Sequence, residues 1–167
     1  MSNEPTSVVE ARARVTELVR EARICMFTTI GLDGRLVSRP MGLQEVEFDG
    51  DLWFFASADS AKVRQIRVNP EVNVAFSDQK RSAWVSVSGT ATEAFDRDRA
   101  EQLWNPVLTV WFPQGPDTPG LTLIKVHASS AEYWDSPSST VVNLFGFAKA
   151  VVTGRPPAPG ENHEVTY

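Results

Sequence analysis

Two Asp-Gly pairs, Asp33-Gly34 and Asp49-Gly50, constrain the fold of this chain more than any other local feature. They separate three segments that are rich in β-forming residues, at 24–30, 35–46 and 52–57. Asp-Gly favours the tight turns that join the two strands of a hairpin. Because hairpin turns connect antiparallel strands, whereas parallel strands need long crossovers, the sequence predicts an antiparallel sheet.

The rest of the chain adds further strands and helices. Strands are expected at 72–76, 84–92 and 121–133. Helices are expected at 7–22, 60–69 and 96–104, with a further one at 141–150. Segment 52–57 is apolar on both faces, which favours a central strand, and Pro40 favours an edge position for segment 35–46. The proline-rich run at 155–160 predicts that the last dozen residues form an irregular tail.

These elements predict a mainly β, α+β fold, namely a small antiparallel barrel of about six strands with appended helices. A length of 167 residues indicates a single domain over 1–167. The N-terminal helix would precede a barrel at 24–135, and a C-terminal segment with the proline-rich tail would follow at 141–167.

Charge and cysteine content exclude several classes of function. The formal net charge is −5 and the chain has no basic stripe, so nucleic-acid binding is not expected. Cys25 is the only cysteine and the chain has two histidines, which argues against a disulfide framework and a His/Cys metal site. The sequence has no apolar run of membrane-spanning length and no signal-peptide core, so we expect a cytoplasmic protein that binds no membrane.

Four polar residues between 39 and 62 indicate a site for a phosphate ester. Arg39 lies in one expected strand, Ser57 ends the next, and Ser60 and Lys62 open the short helix. An arginine fork, a lysine, hydroxyl donors and the first amides of a helix are the groups that hold a phosphate. Spacing alone also allows a plainer interpretation, in which both cations are exposed and Ser60 only caps the helix.

Residues 20–135 resemble the FMN-binding split-barrel superfamily of pyridoxamine 5′-phosphate oxidase relatives, and in particular its bacterial general stress protein branch. The resemblance rests on the order and spacing of several short motifs. These motifs are Ser38-Arg39-Pro40-Met41, Trp53-Phe54-Phe55-Ala56-Ser57 with Ser60 and Lys62, Asn69-Pro70-Glu71-Val72, Trp84-Val85-Ser86-Val87-Ser88-Gly89, Trp111-Phe112-Pro113-Gln114-Gly115 and Tyr133-Trp134-Asp135.

The resemblance implies a six-stranded antiparallel split barrel and a homodimer with FMN at the subunit interface. Arg39 and Lys62 would pair with the FMN phosphate, and Ser57 and Ser60 would donate hydrogen bonds to it. The remaining residues that the resemblance implies would line the ribityl chain and the ring of FMN. Some of the aromatic ones would come from the partner chain. The whole cofactor-binding set implied in this way is Ser38, Arg39, Pro40, Met41, Phe54, Phe55, Ser57, Ser60, Lys62, Trp84, Trp111 and Phe112.

The activity implied by the resemblance is that of a flavin-dependent oxidoreductase, with hydride or electron transfer through flavin N5 and NAD(P)H as a candidate reductant. No catalytic side chain is identified, and His127 is expected to be structural. A non-catalytic FMN store or redox sensor is the first alternative. A split barrel that binds a deazaflavin or haem is the second, and a structural dimer without a cofactor is the third. Oxidation of pyridoxamine phosphate is not expected, because the C-terminal segment lacks a second set of basic residues.

Overall fold

The computed structural model describes residues 8–44, 50–135 and 161–166. Its helices are α1 (Val8–Ala22), α2 (Ala61–Val68) and α3 (Arg97–Leu103), and two short 3-10 helices lie at Pro106–Val110 and Gly115–Asp117. Its strands are β1 (Ile24–Ile30), β2 (Leu36–Gly42), β3 (Asp51–Ser57), β4 (Glu71–Asp78), β5 (Ala83–Glu93), β6 (Leu121–Asp135) and β7 (Glu161–Thr166). Every strand pairing is antiparallel, which confirms the predicted α+β architecture.

The strands curl into a split half-barrel in the order β2-β1-β4-β5-β6-β3, and β7 adds to β6 beside β3. One edge of the 15-residue strand β6 pairs with β3 along its first half and with β7 along its second half. The irregular tail predicted for the last residues is therefore wrong for 161–166. β3 leaves the backbone groups of the second half of β6 without a partner, and β7 forms its hydrogen bonds with them. A local sequence pattern does not reveal such a distant pairing.

The position of β3 also differs from the prediction. β3 lies at the end of the strand order, although its apolar sequence favours a central strand. Its two faces are both covered: Phe54 belongs to the main core, whereas Phe55 packs into a second cluster with Ala100 and Leu103 of α3. Because both faces of β3 are buried, its sequence is apolar even though β3 has a neighbouring strand on one side only in the strand order.

The strand β2 is shorter than predicted. It ends at Gly42, which pairs with Ile24 at the start of β1, and the next amide, of Leu43, donates to the carbonyl of Arg23 at 2.8 Å. β2 is an edge strand, as Pro40 indicates, because a residue without an amide hydrogen is tolerated on an unpaired edge. The helix predicted at 141–150 lies outside the described residues.

The main core lies between one face of the sheet and the helices α1 and α2. Phe27 and Phe54 are fully buried there and pack edge to face, with ring centroids 5.2 Å apart. Cys25 is buried in the same core, and burial raises the pKa of its thiol to about 12. The thiol therefore stays protonated near neutral pH and is not a nucleophile.

No helix in the described ranges is long and apolar enough to span a membrane.

A cluster of charged residues ties β3 to β6. The Asp51 carboxylate accepts hydrogen bonds from Lys125 Nζ at 2.7 Å and from His127 Nδ1 at 2.8 Å. Burial by itself raises the pKa of Asp51, but the hydrogen bonds from Lys125 and His127 outweigh it, so the pKa lies below its ordinary value. This geometry agrees with the structural role expected for His127.

Asp51→Asn is expected to lower the free energy of unfolding at pH 7 by about 1 kcal/mol, since partly exposed ion pairs contribute at that level. Because the folded-state pKa of Asp51 is lowered, its stabilisation is present above the unfolded-state pKa of about 3.9 and is lost as the pH falls through the folded-state pKa. Urea unfolding of both proteins at pH 7 and near about pH 2 measures this. A stability difference that persists in acid would contradict the carboxylate as its cause.

Candidate functional site

Arg39 lies on β2 with its guanidinium directed toward α2. It donates to Thr29 Oγ1 at 2.8 Å and to Gln65 Oε1 at 3.1 Å. Thr29 Oγ1 donates in turn to Gln65 Oε1 at 2.7 Å, so one small network fixes the guanidinium between β1 and α2. These partners are neutral, and burial lowers the pKa of Arg39 from its ordinary value.

Lys62 lies in the first turn of α2, one helical turn before Gln65, and its side chain is half-buried beside Arg39. Its pKa is lowered from the ordinary value, first by burial and then by the positive charge of Arg39. Within the described ranges neither Arg39 nor Lys62 forms a salt bridge with a carboxylate. Two like charges are thus brought together without an acidic partner, an arrangement that an anionic ligand would complete.

Ser60 is the N-cap residue of α2, and its hydroxyl is buried without a hydrogen-bond partner in the part of the chain that the structure describes. An N-cap hydroxyl ordinarily accepts from an amide of the first turn, but the side chain of Ser60 makes no such bond. The eight-residue helix α2 also has no acidic residue in its first turn. A buried hydroxyl without a partner costs free energy, and a phosphate oxygen beside the helix N-terminus would satisfy it.

Ser57 ends β3 three residues before Ser60, and the amide of Ser60 donates to its carbonyl at 3.0 Å. The hydroxyl of Ser57 donates to Oδ1 of the exposed Asp59, and this hydrogen bond is the main cause that holds the pKa of Asp59 below its ordinary value. Ser57 thus lies next to the helix N-terminus, as predicted, but its hydroxyl is engaged by a neighbouring carboxylate.

Thr29 and Gln65 are the site residues that sequence reasoning missed. Gln65 lies three positions after Lys62, and residues at that spacing share one face of a helix. This spacing could have identified Gln65 once Lys62 was suspected. Thr29 is fully buried in β1 and gives no comparable signal, because its role depends on the pairing of β1 with β2.

The predicted residues Ser38 and Trp84 lie on the outer face of the sheet, opposite to the face of Arg39. Alternation along the paired strands places both there, and the hydroxyl of Ser38 bonds Thr28 Oγ1 at 2.6 Å. Pro40 shares this exposed face, two residues along β2 from Ser38. These three residues therefore do not face a ligand that is bound to Arg39 on the opposite face of the same sheet.

The remaining predicted site residues, which are Met41 and four aromatic residues, lie in the main core, in the second cluster and at one exposed position. Phe54 is fully buried in the main core, and Met41 packs against the same core. Phe55 and Phe112 belong to the second cluster, with ring centroids 6.4 Å apart. Trp111 is the exception, because 66% of its surface is exposed. Trp111 is therefore the exposed aromatic residue of this loop, whereas Phe112 beside it packs against the second cluster.

The charge of Lys62 is expected to destabilise the ligand-free protein. Lys62→Met keeps the length of the side chain but removes a half-buried charge next to Arg39, so the melting temperature of the ligand-free protein should rise. Each kcal/mol corresponds to roughly 2–4 °C for a chain of this size. Differential scanning calorimetry in phosphate-free buffer measures the shift, and a lower melting temperature would contradict an uncompensated charge.

Comparison with known proteins places this geometry in context. The model of the family described as pyridoxamine 5′-phosphate oxidase like matches residues 10–158. Protein bli-3 of Neurospora crassa is 31% identical over 150 residues, which cover 84% of this chain and 72% of that protein.

Two solved structures resemble the chain over most of its length. The general stress FMN/FAD binding protein of Xanthomonas citri is 30% identical with a TM-score of 0.66, and the match covers 75% of this chain and 89% of that one. A structure from Jannaschia sp. CCS1, assigned to general stress protein 26, is 24% identical with a TM-score of 0.76, and it covers 95% of this chain and 99% of that one. The second match bears on the fold alone.

Proposed function

This chain belongs to the pyridoxamine 5′-phosphate oxidase-like family, and from that premise we propose that it binds FMN through Arg39 and Lys62 and acts as a flavin-dependent oxidoreductase. The observation that carries the proposal is the pair of half-buried cations without an acidic partner among the described residues, beside the N-terminus of α2. A phosphomonoester has a charge of nearly −2 at neutral pH, which matches two cations.

The residues present fit the phosphate of a flavin. Arg39 would bind it through the part of its guanidinium that Thr29, Gln65 and the carbonyl of Phe27 leave free, and the first two residues orient it. Lys62 would neutralise the second charge. The buried hydroxyl of Ser60, which has no partner in the described ranges, would donate to a phosphate oxygen. The relative from Xanthomonas citri is described as FMN/FAD binding, which supports a flavin as the ligand.

The bound isoalloxazine would supply the redox chemistry, with NAD(P)H as the proposed reductant. We propose that Met41 and the backbone of β3 near Phe54 and Phe55 line the ring and the ribityl chain. The side chains of Phe54 and Phe55 are buried in the two cores, so only their backbone groups would serve the ligand.

We further propose a homodimer in which the second copy completes the ring site. Exposed apolar side chains support this: 65% of the surface of Ile24 and 44% of that of Trp84 are exposed on the sheet, and Trp111 is exposed on its loop. Since Trp84 lies on the face of the sheet opposite to Arg39 of its own protomer, a second copy is the simplest way to bring it to a ring. Light scattering after gel filtration should give twice the monomer mass, and a monomer that retains FMN tightly would contradict an interface site.

The test of function is the visible absorption spectrum of the purified protein after it is mixed with FMN and desalted, with riboflavin as the control. We expect the bands of oxidised flavin to be retained with FMN and lost with riboflavin, which has no phosphate. Oxidation of NAD(P)H by the loaded protein would then distinguish an enzyme from a flavin store or redox sensor. Equal retention of FMN and riboflavin would contradict the phosphate site.

A further inference from the structure

The side-chain amide of Gln65 is held in one orientation by two residues of the neighbouring strands. Its oxygen Oε1 accepts hydrogen bonds from Thr29 Oγ1 at 2.7 Å and from Arg39 Nη2 at 3.1 Å. A guanidinium only donates hydrogen bonds, so the atom of Gln65 that bonds Arg39 is the oxygen and not the nitrogen. The orientation of this amide therefore follows from its chemistry, and Nε2 is the arm that Arg39 and Thr29 do not use.

The amide nitrogen of Gln65 still has both of its hydrogens to donate. Nε2 forms no hydrogen bond with any residue in the ranges 8–44, 50–135 and 161–166, and the side chain is only partly buried. The oxygen and the nitrogen of one amide are roughly 2.3 Å apart, so Nε2 lies within about 5.5 Å of Arg39 Nη2. Two donors at that separation can bond one phosphate group, because each N–H···O bond spans about 2.9 Å.

Lys62 lies next to the same amide. It precedes Gln65 by three residues in α2, and residues at this spacing are neighbours on one face of a helix. Burial, and then the positive charge of Arg39, lower the pKa of Lys62 from its ordinary value, so the two cations lie close to one another. An anion that pairs with both of them would therefore lie beside the amide nitrogen of Gln65.

The neutrality of Gln65 preserves the charge of the two cations. A glutamate at this position could also accept from Arg39 and Thr29, but its carboxylate would cancel one of the two positive charges. An amide accepts from the guanidinium with its oxygen and still offers two hydrogens to an anion with its nitrogen. The site thus gains a donor without losing charge.

We propose that Gln65 binds the phosphate of the flavin directly, with Nε2 as the donor, in addition to orienting Arg39. This inference rests on the proposed function of the same site and assigns a further phosphate-binding residue to it. A hydrogen bond from Nε2 to an ionised phosphate oxygen is charge-assisted, and such bonds are roughly twice as strong as those between neutral groups. Gln65 therefore contributes to binding itself, whereas Thr29 acts only through Arg39.

Two substitutions separate direct binding from orientation. Thr29→Val and Gln65→Met each remove one neutral partner of Arg39 with little change in side-chain size, but only Gln65→Met also removes the free amide nitrogen. The dissociation constants of FMN and riboflavin are measured for the full chain and both variants. The FMN constant is expected to rise roughly tenfold more in Gln65→Met than in Thr29→Val, because a charge-assisted bond is lost as well. Riboflavin affinity should be the same in all three proteins.

A second measurement follows the side-chain amide itself by ¹H–¹⁵N NMR of the unchanged protein. The signals of the Gln65 NH₂ group are identified by their absence from the spectrum of Gln65→Met, or of Gln65→Glu if the first variant is unstable. Saturation with FMN is expected to move these proton signals downfield, as a hydrogen bond to a phosphate oxygen does. Riboflavin is the control, since it brings the same ring without the phosphate, and it should leave the signals in place.

The two ways in which the experiment can fail are distinguishable. FMN could bind more tightly than riboflavin while both variants lose the same affinity and the Gln65 amide responds alike to both flavins. In that case Gln65 only orients Arg39, and the direct contact is overturned while the phosphate site stands. If FMN binds no more tightly than riboflavin, the proposed function itself fails.

Discussion

Replacing both Arg39 and Lys62 by alanine is expected to weaken FMN binding by roughly 3–6 kcal/mol, because two charge-assisted interactions of about 1.5–3 kcal/mol each are lost. This corresponds to a rise in the dissociation constant of roughly two to four orders of magnitude. Thr29 and Gln65 bond each other at 2.7 Å without Arg39, so the substitution leaves neither of them without a partner. Titration of flavin fluorescence measures the change.

The matched control for this double variant is Arg35→Ala with Lys80→Ala. Both residues are exposed, in the turns that precede β2 and β5, and the pair removes the same net charge. FMN affinity should be nearly unchanged in this control. Riboflavin affinity should be unchanged in both double variants, because riboflavin lacks the phosphate. Unchanged FMN affinity after loss of Arg39 and Lys62 would remove the phosphate assignment.

Phe54→Ala is expected to lower the free energy of unfolding of the flavin-free protein by about 3–5 kcal/mol, the range for a large aromatic removed from a core. Phe54 is fully buried and packs edge to face against Phe27, so the substitution leaves a cavity as well as losing the ring contact. Urea unfolding followed by far-UV circular dichroism measures the loss. The effect appears without flavin because the side chain belongs to the core and not to a ligand surface.

Phe95→Ala removes the same atoms from a side chain that is 52% exposed, and it serves as the control. Its effect should stay below about 1 kcal/mol, as is usual for exposed positions away from caps and cores. If Phe54→Ala changed stability no more than Phe95→Ala, the side chain of Phe54 would not be a core residue, and a direct contact with the flavin ring would regain support.

Local signals were sufficient for most elements of the fold. The start of α2 follows from Ser60, and its end follows from Asn69-Pro70, since proline disfavours helical conformation in the residue before it. The alternation of β5 and the Asp33-Gly34 turn likewise determine local conformation through side-chain and backbone geometry that does not depend on distant contacts. The residue types of the proposed site are also read locally, since an arginine, a lysine and a serine before a helix are groups that can hold a phosphate.

The positions of those elements in the sheet could not be obtained in this way. Apolar residues on both faces of β3 indicate burial of both faces, but they do not distinguish a central strand from an end strand that is covered on both sides. The strand at Glu161–Thr166 likewise depends on the edge of β6 that β3 leaves unpaired. Such pairings join residues that are far apart in sequence, so no short window contains the information.

The sequence by itself therefore determined the family and the antiparallel strands, because these depend on local geometry and on residue type, and it supplied the residue types of the proposed phosphate site. Only the tertiary structure decided that Thr29 and Gln65 orient Arg39 and that Ser38 and Trp84 face away from the two cations. The physical reason is that strand register and helix docking select which side chains share a face, and a shift of one residue would reverse every one of those contacts.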